Sequence, residues 1–132
     1  MSDSEVDESV VRADRWSKVI ALFVAIGVFG AASLLTADGL FNMTVAAVVG
    51  IGTRIYIPYH ASVTVSDPDH MPIQEYEGTG NYHQGAVGAA AVLASVAALG
   101  AMVVVADSTL AFGAGAGAGV ALFLLFRTVL PS

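Results

Sequence analysis

The sequence predicts an all-α membrane protein, a polytopic bundle of four transmembrane helices arranged as two helical hairpins. Of its 132 residues, 56% are hydrophobic and only 12% are charged, whereas about a quarter of an ordinary soluble domain is charged. The mean hydropathy is +0.75, and the apolar residues gather in long runs that short polar segments separate. The chain therefore has too little polar surface for a soluble domain, and we expect lipid to surround much of it.

Residues 1–15 precede the first apolar run and carry five acidic side chains without apolar periodicity. This composition predicts a disordered, acidic cytoplasmic tail. A cleavable signal peptide begins with basic residues and a short apolar stretch, and this start has neither. We therefore expect the first apolar run to remain as an anchor within a membrane domain over 16–132.

The first hairpin is predicted to join spans 16–36 and 40–57. At 1.5 Å per residue, the first of these spans covers the roughly 30 Å of a bilayer's hydrocarbon core. Trp16 is expected at headgroup depth, where indole rings concentrate. Asp38 and Gly39 favour a tight turn between the two spans.

The second span is the least regular of the four, because it contains Arg54. Near a helix end the long arginine side chain can extend to the headgroups, and Pro58 is expected to end the helix. An alternative takes 55–57 and 63–65 as two short strands around Pro58, given their β-branched residues.

The second hairpin is predicted to join spans 85–106 and 110–130, which only three polar residues separate. Between the hairpins, 60–84 is rich in proline, glycine and acidic residues. We expect an aqueous loop there. Because long loops are often functional, it is also the first segment in which we look for a binding site.

All five basic residues fall on one side of this arrangement. They are Arg12, Arg15, Lys18, Arg54 and Arg127. The positive-inside rule makes that side cytoplasmic. We therefore expect a multi-pass protein of the cell membrane with both termini and the 60–84 loop in the cytoplasm.

Small residues recur at four-residue spacing in three of the predicted spans. Such rows let helix backbones approach closely in lipid, where the burial of large apolar side chains contributes little. We expect them to be helix-packing faces. The rows consist of Gly27 and Ala31, of Ala86, Ala90, Ala94 and Ala98, and of Gly113, Gly117 and Ala121, with Gly115 and Gly119 on a neighbouring face of the last span.

The sequence carries no catalytic signature. It has no cysteine, which excludes disulfides, thiolate metal sites and cysteine nucleophiles. The net charge of −6 argues against nucleic acid as a partner, and the acidic composition is similar to that of proteins from salt-loving archaea. We therefore expect neither an enzyme nor a bound cofactor.

Two groups of residues keep a functional alternative open. His60, His70, Met71 and His83 lie in or beside the 60–84 loop and have side chains that bind copper or zinc, although their spacing matches no ligand pattern. Arg54 and Arg127 are either anchors at the membrane surface or, for Arg54 especially, part of a transport pathway.

The function expected from the sequence is that of a small membrane protein that oligomerises, or joins a larger membrane complex as an accessory subunit. Its partners are then membrane lipid and the helices of other subunits, contacted through the glycine and alanine faces. One alternative is a small transporter or channel with Arg54 in its pathway. A second alternative is a metal or redox accessory protein that uses the histidine and methionine side chains of the loop.

Overall fold

The computed structural model of the protein describes residues 8–64 and 82–131. Over these ranges the chain forms four α-helices and no strand, so the predicted all-helical fold is confirmed. The helices are α1 (Glu8–Leu35), α2 (Gly39–Thr64), α3 (Gln84–Val105) and α4 (Ser108–Val129). All four are long and apolar enough to cross a membrane, which indicates a multi-pass membrane protein.

The helices pack in chain order, α1 against α2, α2 against α3 and α3 against α4. Successive helices run antiparallel, which gives the bundle two unlike ends. We call the end where α1 and α3 begin and α2 and α4 finish the basic end, because it carries Lys18 and Arg127. The opposite end, with the two short connections, is the turn end. The helices α1 and α4 lie at the two edges of this arrangement.

Aspartates start the second helix of each hairpin. The carboxylate of Asp38 accepts a hydrogen bond from the Phe41 amide at 3.0 Å, and that of Asp107 accepts one from the Leu110 amide at 3.1 Å. Each bond satisfies an amide that has no partner inside its helix. These two hydrogen bonds explain why the short turns predicted from the sequence form at Asp38 and Asp107.

The connection between α3 and α4 forces Ala106 into a left-handed backbone conformation with φ of 57°. This conformation is unfavourable for alanine but not for glycine. We expect Ala106→Gly to raise the free energy of unfolding by about 0.5–1 kcal/mol. Thermal unfolding in detergent tests this, and an unchanged or lower melting temperature would contradict it.

Helix α1 begins at Glu8, eight residues before the expected start of the span at Trp16. The predicted tail over 1–15 is therefore helical from residue 8, and 1–7 lie outside the described residues. Packing explains the difference. Val10 is buried beside Tyr59 of α2, so this stretch gains tertiary contacts that its acidic composition does not reveal.

Helix α2 continues through Pro58 to Thr64, so the predicted end at Ile57 is wrong. The alternative of two short strands is also wrong for 55–57 and 63–64, while Val65 lies outside the described residues. Proline removes one helical hydrogen bond, but transmembrane helices tolerate this where neighbouring elements pack around it. Pro58 and Tyr59 are both buried, and their packing holds the helix together beyond the proline.

The other predicted spans agree with α3 and α4 to within about two residues, as is usual for helix boundaries. The main apolar core lies between the helices toward the turn end. The rings of Phe41 and Phe112 meet there, with their centroids 5.1 Å apart. The buried members of this core are Phe41, Val45, Val49, Ala98, Met102 and Ala111.

Candidate functional site

The backbones of α2 and α3 approach each other closely at two glycines. A Cβ atom added to Gly52 would lie 2.9 Å from the carbonyl oxygen of Gly88, and one added to Gly88 would lie 2.8 Å from the carbonyl oxygen of Gly52. Side chains larger than hydrogen do not fit at this crossing. The two backbones therefore pack directly on one another, as small residues allow in lipid.

The alanine row of α3 lies inside the bundle. Ala86, Ala90 and Ala98 are buried. On the facing helix α4, a Cβ added to Gly115 would lie 2.9 Å from the Cβ of Ala98, and one added to Gly119 would lie 3.2 Å from the Cβ of Ala94. The pairing of α3 with α4 thus uses Gly115 and Gly119, the row that the sequence placed on a neighbouring face.

The other small-residue rows point away from the rest of the chain. Within the described ranges, a Cβ added to Gly113, Gly117 or Gly27 meets no atom within 4 Å. Ala121 and Ala31, which continue these rows, are exposed. We call Gly113, Gly117 and Ala121 the outer face of α4, and Gly27 and Ala31 the outer face of α1.

A wide groove runs over α3 between α2 and α4. It encloses about 560 Å³. The α3 alanines, including Ala91 and Ala94, form its floor, while Val48 of α2 and Phe112 and Phe123 of α4 stand along its walls. We call it the α3 groove. It opens toward the surroundings of the bundle, which for a membrane-spanning bundle are lipid.

Three cations lie at one depth near the basic end. The antiparallel registers put Lys18, Arg54 and Arg127 within about one helical turn of each other along the bundle axis. These registers follow from the contacts of Gly50 with Ala21 and Ala25, of Gly52 with Gly88, and of Gly115 with Ala94 and Ala98. About 30 Å of α4 separates Arg127 from Asp107 at the turn end, which matches the thickness of a bilayer's hydrocarbon core.

Arg54 is exposed, and it does not line the α3 groove or a second, smaller groove between α2 and α3. Two polar side chains nearer the start of α2, those of Asn42 and Thr44, are used in local structure. The Asn42 amide donates to the carbonyl oxygen of Thr36 at 2.9 Å, and the Thr44 hydroxyl donates to that of Leu40 at 2.9 Å. The position of Arg54 thus fits an anchor at the membrane surface.

Aromatic and histidine rings gather at the basic end around the finish of α4. The Tyr59 hydroxyl donates to the carbonyl oxygen of Pro131. His83 accepts a hydrogen bond from the Ala86 amide at Nδ1 (3.1 Å), and its Nε2 lies 3.1 Å from the carbonyl oxygen of Leu130. Two side chains from α2 and the start of α3 therefore hold the C-terminal end of α4.

The predicted metal candidates are only partly placed. His70 and Met71 lie outside the described residues. Both ring nitrogens of His83 already have protein partners, while His60 is exposed and stacks on Tyr56. Within 8–64 and 82–131, no three histidine or acidic side chains come together as a metal site.

No protein-family model matches the chain, and searches for similar curated proteins and for similar solved structures find no match.

Sequence reasoning missed the glycines at the α2–α3 crossing and the hydrogen bond of Tyr59. Gly52 and Gly88 belong to different helices and form no row within either one, so only the register between the helices reveals them. Tyr59 follows Pro58, where the helix was expected to end, and the partner of its hydroxyl lies 72 positions away along the chain.

Proposed function

We propose that this protein is a small membrane scaffold that associates side by side with other transmembrane helices through the outer faces of α1 and α4. The observation that carries the proposal is the open space over Gly27, Gly113 and Gly117. A glycine inside a helix costs about 1 kcal/mol relative to alanine. Within the described chain no contact offsets this cost at these three positions, whereas a neighbouring helix that packed closely would do so.

The arrangement of the helices supports the same proposal. Because α1 and α4 lie at opposite edges, a single chain offers two separate surfaces to neighbours. A second copy of the chain or a larger subunit fits this role, and helices of either kind meet the small-residue face by the same close backbone packing. Among the described residues, no group of histidine or acidic side chains that could hold a metal ion competes with this role.

The experiment that tests the proposal is the mass of the complex extracted from its own membrane in mild detergent. We expect an assembly larger than one chain, and we expect Gly117→Leu to reduce its mass by placing a bulky side chain on the outer face of α4. Gly100→Leu is the matched control, because Gly100 also has open space but belongs to no row of small residues: Val96 and Val104 flank it at four-residue spacing on α3. A parent protein that is a monomer, or an assembly that Gly117→Leu leaves intact, would refute the role of this face.

We also propose that the basic end faces the cytoplasm, because all five lysine and arginine residues belong to it. A single cysteine is a clean probe, since the protein has none of its own. We expect Thr109→Cys, at the turn end, to react with an impermeant maleimide on intact cells, and Thr64→Cys to react only after lysis. The opposite labelling pattern would reverse the orientation.

A further inference from the structure

The α3 groove has the length and shape of an elongated ligand site. It extends along α3 from Val87 to Ala98, a distance of about 16 Å at the helical rise. Its volume of about 560 Å³ falls within the range of ordinary ligand pockets, which is about 300–1,000 Å³. Phe123 stands near the basic end of the groove and Phe112 near the turn end.

The polar side chains in the lining are already satisfied by the protein. The Ser95 hydroxyl donates to the carbonyl oxygen of Ala91 at 2.9 Å, and the Thr44 hydroxyl donates to that of Leu40 at the same distance. Because each hydroxyl hydrogen is already used, acceptor groups of an occupant would find no donor among these side chains, and burying such groups unpaired is costly. The lining therefore favours hydrocarbon.

A positive charge stands at the basic end of the groove. The Arg127 guanidinium carbon lies 5.9 Å from the centre of the Phe123 ring, and this ring lines the groove. Arg127 is exposed and forms no salt bridge with any other described residue. It shares its depth with Lys18 and Arg54, near the expected boundary of the hydrocarbon core, from which its long side chain can extend to the lipid phosphates.

We propose that the α3 groove binds one anionic phospholipid, with its phosphate on Arg127 and a hydrocarbon chain over the alanine floor. Charge complementarity selects this occupant. Arginine pairs favourably with phosphate. No described acidic side chain forms a salt bridge with Arg127, so a lipid phosphate would supply the anionic partner that this cation lacks.

The site is distinct from the surfaces of the proposed scaffold function. Ala116 lines the groove, whereas Gly113 and Gly117 belong to the outer face of α4. Because Ala116 lies one helical turn from Gly113, the number of protein chains is counted together with the bound lipid when Ala116 is substituted. The lipid-site proposal and the scaffold proposal can each be refuted without refuting the other.

The test is a titration of the delipidated, full-length protein in detergent, with bound lipid counted by native mass spectrometry. The probes are phosphatidylglycerol, which is anionic, and phosphatidylcholine, which has no net charge. We expect phosphatidylglycerol to bind the parent protein more tightly, and Arg127→Gln to weaken it about fivefold, the effect of one interfacial cation. Arg127→Lys should restore most of the preference.

Ala116→Leu should weaken both lipids, because the added side chain fills the groove. Its control is Gly100→Leu, which places the same side chain at an exposed position of α3 outside the groove lining. Lys18→Gln is the control for charge, since it removes a cation at the same depth on α1. Neither control should alter lipid binding by more than about twofold.

Equal affinity for the two lipids, or equal loss in Arg127→Gln and Lys18→Gln, would overturn the proposal and make Arg127 a surface anchor only. A change in the number of protein chains in Ala116→Leu, with lipid binding unchanged, would overturn it in favour of a protein interface. If Ala116→Leu fails to fold, the comparison of Arg127→Gln, Arg127→Lys and Lys18→Gln still decides the outcome.

Discussion

Gly88→Ala is expected to destabilise the bundle by about 2–3 kcal/mol, at the upper end of what overpacking costs. The added Cβ would lie 2.8 Å from the carbonyl oxygen of Gly52 and 2.9 Å from the backbone nitrogen of Tyr56. Both atoms belong to the backbone of α2, so no side-chain rotation can relieve the clash. The two helices must move apart, and the contacts along their whole interface weaken.

Gly100→Ala is the matched control for this change. Gly100 lies on the same helix, and a Cβ there meets no atom within 4 Å. Alanine should therefore stabilise the helix at this position, by up to about 1 kcal/mol. Unfolding of the two variants in detergent, followed by helix content, measures the difference. Equal stability of Gly88→Ala and Gly100→Ala would show that the two backbones do not pack at the crossing.

The crossing of α2 and α3 is also a feature that the sequence alone does not predict. Four helices and two short connections follow from local signals, namely long uncharged runs and an aspartate before each second helix. Gly52 and Gly88 carry no such signal, because their importance arises only from the register between α2 and α3. That register is set by the packing of many side chains at once, and no single segment of the sequence contains it.

The glycines of α4 illustrate a related ambiguity. Glycine recurs at every second residue from Gly113 to Gly119, so two rows with four-residue spacing lie on different faces of one helix. The sequence predicts that such rows pack but does not say against what. The structure places Gly115 and Gly119 against α3 and leaves Gly113 and Gly117 open, because only one face can meet α3.

The end of α2 was predicted wrongly because its sequence carries a strong local signal that the tertiary structure overrides. Pro58 is a strong local signal for a helix end, but contacts distant in sequence outweigh it. Tyr59, the next residue, is buried, packs beside Val10 of α1, and reaches the end of α4 with its hydroxyl. A helix that ended at Ile57 would lose these contacts, so the tertiary structure carries α2 past the proline.

His83→Ala is expected to lower the free energy of unfolding by about 2 kcal/mol and to loosen the end of α4. The ring does two jobs at once. Nδ1 accepts from the Ala86 amide and so caps α3, while Nε2 lies 3.1 Å from the carbonyl oxygen of Leu130. The neutral tautomer with its proton on Nε2 satisfies both partners. Loss of a cap costs about 1 kcal/mol, and loss of a hydrogen bond costs a similar amount.

His83→Asn separates the two contributions. Asparagine is a good capping residue, but its shorter side chain does not extend to Leu130, so we expect about half of the loss to be recovered. Tyr59→Phe removes the neighbouring bond to Pro131 and should cost about 1 kcal/mol. Both hydrogen bonds hold the C-terminal end of α4. The double variant with Tyr59→Phe and His83→Ala should therefore lose less free energy of unfolding than the two single variants lose together.

Hydrogen exchange at the Leu130 amide is the decisive readout, since this amide donates to the carbonyl oxygen of Phe126 in the last turn of α4. We expect exchange to accelerate in His83→Ala and in Tyr59→Phe, and to accelerate less in His83→Asn than in His83→Ala. Amides in the middle of α4 should be protected equally in every variant, because their helical bonds do not depend on the chain end. Unchanged exchange at Leu130 in His83→Ala would show that the ring caps α3 without holding α4.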